Sequence, residues 1–546
     1  MTTITANRSK SIGAWSQAPK CHLKPLEDAT QILGDLQKTV FVVEDADGLR
    51  LVTGGEAKLG VSAAGEDLPL VAISPPMPAT QLGDPTFCAD HGIRFPYVSG
   101  AMANGIGSVE IAVALAREGA LGFFGAAGLA PAVVEAALDR LASELGDIPY
   151  GANLIHSPNE PDLEMEIADL FLRKGVHLVS ASAYLGLTLP IVKYRLMGIH
   201  RAEDGTVVTP NRVIAKVSRV EIATQFFSPA PEKYLKELVA NGDLTPEQAK
   251  LAAEVPVAQD ITAEADSGGH TDNRPSVTLW PTLLSLRNRM QEKFGYAQRL
   301  RVGAAGGIST PASAAAAFAM GASYILIGSV NQCTLEAGTS DAVRKMLAAV
   351  GQADVSMAPA ADMFEMGVQV QVLKRGTMFA MRAAKLYSLY LSNDSLESIP
   401  APERARLEKD IFRDTLENTW ASTRAFFEVR DPSQIERAEK NPKHKMALVF
   451  RSYLGQASRW ANAGVPDRQL DYQVWCGPSM GAFNEWAAGS PLADWSKRGV
   501  ADVAANLLYA TAIQTRLNSL RSQGVQIPAS VEVRPIEEAG LWGRLA

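Results

Sequence analysis

Cysteine is scarce in this chain. Four occur in 546 residues (Cys21, Cys88, Cys333 and Cys476), far apart and without a CxxC pair. That excludes the disulfide framework of a small secreted domain and offers no zinc-ligand spacing, so no metal site is expected. A GxGxxG fingerprint is also missing: Gly105-Ile106-Gly107 comes nearest and ends in Glu110, which argues against a Rossmann dinucleotide cradle. No apolar stretch of membrane-spanning length is present. Residues 311–330 come closest, but Ser, Gly and a helix-to-strand break interrupt them. The opening segment MTTITANRSK is polar and leads into no signal-like run. An excess of positive charge is lacking too. Lys and Arg total 52 against 59 Asp and Glu, a net charge of −7, which excludes a general nucleic-acid binder. These absences predict a reduced, cytoplasmic setting.

What is present is a large globular chain, 47% hydrophobic and too long for one compact core. Its most informative stretch is RVGAAGGISTPASAAAAFAMGASYILIGSV (301–330). Two apolar runs each end in small residues, Gly306-Gly307 and Gly328-Ser329, and are joined by an Ala-rich helix opening at Thr310-Pro311. Glycines at such turns let bare N–H groups approach a phosphate. Read alone, they are equally well ordinary tight turns. Short apolar runs recur at 95–102, 120–126, 150–155, 177–183, 212–218, 257–263, 301–305 and 324–327, with amphipathic helices between most of them. Eight buried strands alternating with helices predict an α/β fold, a closed (β/α)8 TIM barrel. The two glycine turns then follow the seventh and eighth strands, where such barrels commonly bind phosphate.

Three regions are expected. Residues 1–75 form an N-terminal extension with a β-hairpin around Asp47-Gly48, and 76–340 form the barrel, with a helical insertion near 231–254. Residues 341–546 read as largely helical and hold six of the eight tryptophans, a density that suits a core or a docking surface better than a catalytic site.

A second constellation, Asp266-Ser267-Gly268-Gly269-His270, follows the sixth strand. Gly268 and Gly269 let the imidazole of His270 project towards a flat ligand, and of only seven histidines this one is best placed for acid–base work. His156, after the third strand, is its rival, and a solvated loop residue is the plain alternative. Asn153 and Lys216 end the third and fifth strands. An amide and an ammonium there suit the polar edges of a ring system, or else fix a loop and face solvent.

The series FPYVSGAMANGIGSVEIAVALAREGALGFFGAAG, GANLIH, EADSGGHTD, GAAGGIST and ILIGS resembles the nitropropane-dioxygenase-like FMN barrel family over residues 95–330. The long flanking regions, including LDYQVWCGPSMGAFNEWAAGSP (470–491), resemble its PfaD group of trans-acting enoyl reductases of polyunsaturated fatty acid and polyketide synthases. The resemblance implies that Ala101 and Met102 lie against a flavin ring and that Asn153 contacts FMN. It also implies that Gly306, Gly307, Gly328 and Ser329 hold the phosphate, and that Gly269-His270 sits beside the reactive edge. Ala101 replaces a common Pro, Ser329 a common Thr, and Asp266 a common Glu. The implied reaction passes hydride from NADPH or NADH through FMN to the β-carbon of an enoyl thioester carried by acyl carrier protein domains of a synthase. A nitronate-type flavin oxidase and a non-catalytic FMN-containing scaffold are the alternatives. The basic run 437–451 (Arg437, Lys440, Lys443, Lys445, Arg451) is either a carrier-docking patch or a solvated helix start. The oligomeric state stays open, a homodimer being one option.

Overall fold

The computed structural model describes residues 11–158 and 160–546, so the polar segment 1–10 lies outside the described residues. All eight predicted strands form: β1 (Tyr97–Ser99), β2 (Phe123–Phe124), β3 (Gly151–Ile155), β4 (Leu178–Ser182), β5 (Arg212–Val217), β6 (Asp260–Glu264), β7 (Arg301–Ala305) and β8 (Ile325–Ile327). Every neighbouring pair is parallel, in the order β1-β8-β7-β6-β5-β4-β3-β2. A parallel bridge between Val98 and Leu121 joins the first strand to the second and closes the barrel. The strands are buried almost throughout, as covering helices outside and packed side chains inside require.

At the N-terminal ends of the strands the interior is sealed by charge. Arg301 opens β7 and Asp260 opens β6, and the guanidinium donates to the carboxylate at 2.6 Å and to Asp90 at 2.7 Å. His91 bonds the other Asp260 oxygen at 2.9 Å. Asp260 is held far below the usual carboxylate range: burial opposes ionisation, and Arg301 and His91 override it. This end of the barrel serves stability, which leaves chemistry to the other.

Local signals read from the sequence produce the expected elements. Thr310 caps the helix Pro311–Ala319, accepting from the N–H of Ser313. The insertion between β5 and β6 holds two helices, Glu232–Ala240 and Pro246–Leu251, the second capped by Thr245 and Gln248. The expected hairpin is Val40–Asp45 paired with Gly48–Thr53. It belongs to a larger structure than the sequence indicated, a six-stranded antiparallel sheet spanning residues 13–74.

Beyond β8 the chain leaves the barrel and returns to it. The helix Val500–Ser522 packs on both Pro311–Ala319 and Val109–Arg117, the helices that follow β7 and β1. It therefore fills the place of the barrel's eighth outer helix. Its Arg516, buried, donates to the carbonyls of Leu33, Asp35 and Lys38 and to Ser74, which ties the N-terminal sheet to the barrel. Between the barrel and that helix lie a ribbon, Val355–Pro359 with Gln369–Leu373, and a helical layer with its own apolar core. The ribbon interrupts a region that reads as largely helical. Among the described residues no helix is long and apolar enough to cross a membrane.

Candidate active site

A cavity of about 1320 Å³ opens over the C-terminal ends of the barrel strands, and β3 to β8 and the loops after β1 and β2 contribute to its wall. Ala101, Met102, Asn153, Lys216, Gly269, His270, Gly306, Gly307, Gly328 and Ser329 all line it. Residues more than two hundred positions apart are thus gathered around one space.

The turn after β7 is a bare cradle. Gly306 and Gly307 both take left-handed φ values, 78° and 75°. No acceptor among the described residues takes the N–H groups of Gly307 or Ile308. A Cβ built on Gly307 or Gly328 would meet nothing within 4 Å. Successive N–H groups in such a turn form a concavity suited to an anion. Ser329 accepts from the N–H of Gly477 at 3.0 Å, which leaves its own hydroxyl proton to donate. A phosphate fits this site: it supplies acceptors to donors that otherwise have none, in space the glycines keep clear.

Asn153 is buried beneath, and its Oδ1 accepts from the Ala127 N–H at 3.0 Å, so the amide NH2 is the group left for a ligand. Lys216 is not a free cation. Its Nζ lies 2.9 Å from Glu264 Oε1 at the end of β6, and Ser267 donates to the same oxygen. Asp266, which fills the place of the motif's common Glu, is turned away into a structural role. Its Oδ1 accepts from Asn273 at 2.8 Å and from Gln371 of the ribbon at 2.7 Å.

His270 is not a solvated loop residue. Gly269 and His270 form a short strand antiparallel to Gln369–Leu373, with His270 opposite Val370. Its Nε2 lies 3.1 Å from Asp362 Oδ1. Burial works to lower the imidazole's affinity for its proton, but the charge of Asp362 and its hydrogen bond prevail, so the pKa is raised above the ordinary 6.5. Asp362 is correspondingly lowered against its own burial. The arrangement favours the protonated imidazole and leaves Nδ1 for a ligand. The rival His156 is engaged elsewhere. Its Nδ1 meets Glu164 at 3.1 Å, and that buried carboxylate also accepts from Tyr184 and Thr188.

Sequence reasoning missed the far wall. The helices Leu416–Arg430 and Pro442–Ala463, with Trp460 and Trp475, close the cavity opposite the barrel. The tryptophans divide between the two roles: Trp486 is buried in the core, while Trp460 and Trp475 face the cavity. Nothing local marked Asp362, whereas Glu264 was visible as an acid directly after an apolar run.

Comparison with known proteins agrees with this architecture. Residues 86–388 match the family model for nitronate monooxygenase, and 393–472 match that for the inserted helical domain of [acyl-carrier-protein] S-malonyltransferase. The chain is 47% identical over 504 residues to a polyunsaturated fatty acid synthase subunit from Thraustochytrium sp., covering 91% of this chain and 33% of that protein. It is 44% identical over 436 residues to the polyketide biosynthesis protein PksE of Bacillus subtilis, covering 80% of this chain and 56% of that protein. The chain therefore spans well under two thirds of these relatives' own lengths. The crystal structure of the enoyl reductase domain of MlnA, from the macrolactin biosynthesis cluster of Bacillus amyloliquefaciens, superposes with a TM-score of 0.77 at 40% identity. That match covers 81% of this chain and all of the other.

Proposed function

The chain belongs to the nitronate monooxygenase family of barrels, and from that premise we propose that it is an FMN-dependent enoyl reductase that takes its substrate from acyl carrier domains of a synthase. One observation carries the reading: the phosphate cradle and the His270–Asp362 pair share a cavity that the helical layer extends outward to about 1320 Å³. That exceeds the roughly 300–1,000 Å³ typical of small-molecule sites. A small nitronate needs no such extension, and a long-armed thioester does. The complete coverage of the MlnA enoyl reductase domain supports the same choice.

The residues present fit FMN. Gly306, Gly307, Ile308, Gly328 and Ser329 would hold its phosphate, and Asn153, with Ala101 and Met102, would meet its ring. When bound, the flavin would supply the redox chemistry between NAD(P)H and the β-carbon of the enoyl thioester. The protein's own part is electrostatic and positional. Hydride addition at the β-carbon places negative charge on the thioester oxygen and calls for a proton at the α-carbon. His270, whose protonated form Asp362 favours, serves one of these needs through Nδ1. Glu264 pairs with Lys216 in the wall, as Asp362 pairs with His270, so no unpaired ammonium stands beside the imidazole.

Docking of the carrier through the basic run 437–451 gains less support. Lys443 lies 3.6 Å from Asp394 and Lys445 3.3 Å from Glu397. Arg451 bonds the Ala361 carbonyl in the cavity wall. Only part of the run is free to attract an acidic partner.

The test is turnover. Purified protein should contain FMN and oxidise NADPH or NADH when given a crotonyl thioester on a carrier protein. Oxygen consumption with a nitronate and none of this turnover would assign the oxidase reading. A flavin that neither substrate reoxidises would assign the scaffold.

A further inference from the structure

The helix Pro442–Ala463 lays one face along the cavity. Leu448, Ser452, Gly455 and Arg459, spaced by four, three and four positions, form that face. Leu448 is fully buried, Ser452 and Gly455 are half-buried, and Arg459 is exposed, so the face runs from the interior to the mouth. Its inner end adjoins the chemistry: Arg451 bonds the carbonyl of Ala361, the residue before Asp362, at 2.9 Å. Arg459 follows Arg451 by eight positions, about 12 Å along the axis at 1.5 Å per residue.

Two features of this face lack a structural purpose. Gly455 sits in the middle of a 22-residue helix, where glycine is disfavoured. A Cβ there would meet nothing within 4 Å, so no neighbour demands the bare position, and the space it leaves is the cavity's own. The second feature is charge. Lys216, Arg219, Arg430 and Arg451 of the cavity wall face Glu264, Asp272, Glu160 and Glu365 respectively. Among the described residues Arg459 has no carboxylate in ion-pair range. Its guanidinium stands over the ring of Phe426, 5.6 Å from the centroid, and Arg430 stands over the same ring at 5.7 Å.

We propose that this face is the track for a long arm bearing a phosphate ester, with Gly455 leaving room for the arm to pass and Arg459 clamping the phosphate at the mouth. The substrate class rests on the reductase reading. An anchor about 12 Å along the helix from Arg451 needs a ligand whose phosphate and reacting group are far apart. A phosphopantetheine thioester has that form, with a phosphodiester at one end of a flexible arm and the thioester at the other. A nicotinamide dinucleotide carries its pyrophosphate only a ribose away from the reacting ring, so that pyrophosphate falls short of Arg459.

The experiment compares crotonyl thioesters of 4′-phosphopantetheine and pantetheine in the holoenzyme. Wild type should prefer the phosphorylated form, and Arg459→Ala should bring the kcat/KM ratio towards one, a loss of roughly 10- to 100-fold for one charge-assisted contact. Gly455→Leu, a substitution that favours the helix, should raise KM for both thioesters by closing the track. Calorimetric binding of 4′-phosphopantetheine itself, weakened in Arg459→Ala and restored in part by Arg459→Lys, tests the clamp without turnover. If wild type binds phosphopantetheine but reduces no thioester, the reductase reading fails and the clamp stands. An unchanged preference and affinity in Arg459→Ala would overturn the clamp. So would a rise in KM confined to NADPH and absent with NADH, which would give Arg459 to the dinucleotide's extra phosphate.

Discussion

Adjacent glycines in the turn after β7 should fail in opposite ways, and the difference tests where the flavin phosphate sits. A Cβ on Gly306 would lie 2.6 Å from the carbonyl carbon of Ala265, so Gly306→Ala forces backbone to move. A Cβ on Gly307 would meet nothing within 4 Å, so its only folding cost is the left-handed φ of 75°, about 1–2 kcal/mol for an ordinary residue. Gly328 has equal space and an ordinary φ of −106°, so Gly328→Val is free of that strain. Side chains at 307 and 328 would instead intrude where the proposed FMN phosphate approaches. Losing two charge-assisted hydrogen bonds at about 1.5–3 kcal/mol each weakens FMN binding by roughly 100- to 10,000-fold. We expect Gly307→Val and Gly328→Val to purify nearly colourless, with cooperative melts and Tm lowered by no more than a few degrees. Gly306→Ala should lose thermal stability first. Flavin absorbance per mole of protein, fluorescence titration with FMN and circular-dichroism melts give the three readouts. Wild-type flavin content in both valine variants would mean the phosphate binds elsewhere.

The fold was legible because its signals are local. Each barrel strand is a short apolar run, and each glycine turn follows one, so the cradle and the position of His270 could be read from neighbours in sequence. What escaped depends on pairing across long separations. His270 reaches Asp362 only because Gly269–His270 pairs with Gln369–Leu373, a register set about a hundred residues downstream. Neither segment carries a sign of the other. The helix Val500–Ser522 shows why composition misled at the C-terminus: it is buried on nearly all sides, so it reads as one more helix of a helical region although it completes the barrel. The basic run 437–451 shows the converse limit. Its charge count was correct, but Asp394 and Glu397, which neutralise two of its lysines, lie some fifty residues upstream in sequence. The motif's acid escaped for a related reason. Asp266 and Glu264 are two residues apart, and only the fold shows that Glu264 faces the cavity while Asp266 holds the ribbon.

Three further outcomes follow from the same geometry. His270→Ala should retain FMN and its reduction by NAD(P)H in stopped flow but lose enoyl reduction by about 100- to 10,000-fold; equal rates in both half-reactions would make the histidine a bystander. Arg301→Met should cost about 3–5 kcal/mol and roughly 3–5 °C in Tm, because it leaves the buried Asp260 with His91 alone as its charged partner, and an unchanged melt would refute the structural role of that cluster. Asp362→Asn is read by the pH profile. The charged groups acting on His270 are Asp362, Lys216 and Glu264; burial and Lys216 lower its pKa, and Asp362 does most to raise it. In wild type the stabilising contribution of the pair is therefore full below the ordinary 6.5 and fades as pH rises through the higher folded value. Without the Asp362 charge the lowering influences prevail, so the alkaline limb of enoyl reduction should move to lower pH, while flavin reduction by NAD(P)H keeps its own profile. A general loss of rate with no displacement of that limb would show that Asp362 only braces the ribbon, and that the proton on His270 is held by something else.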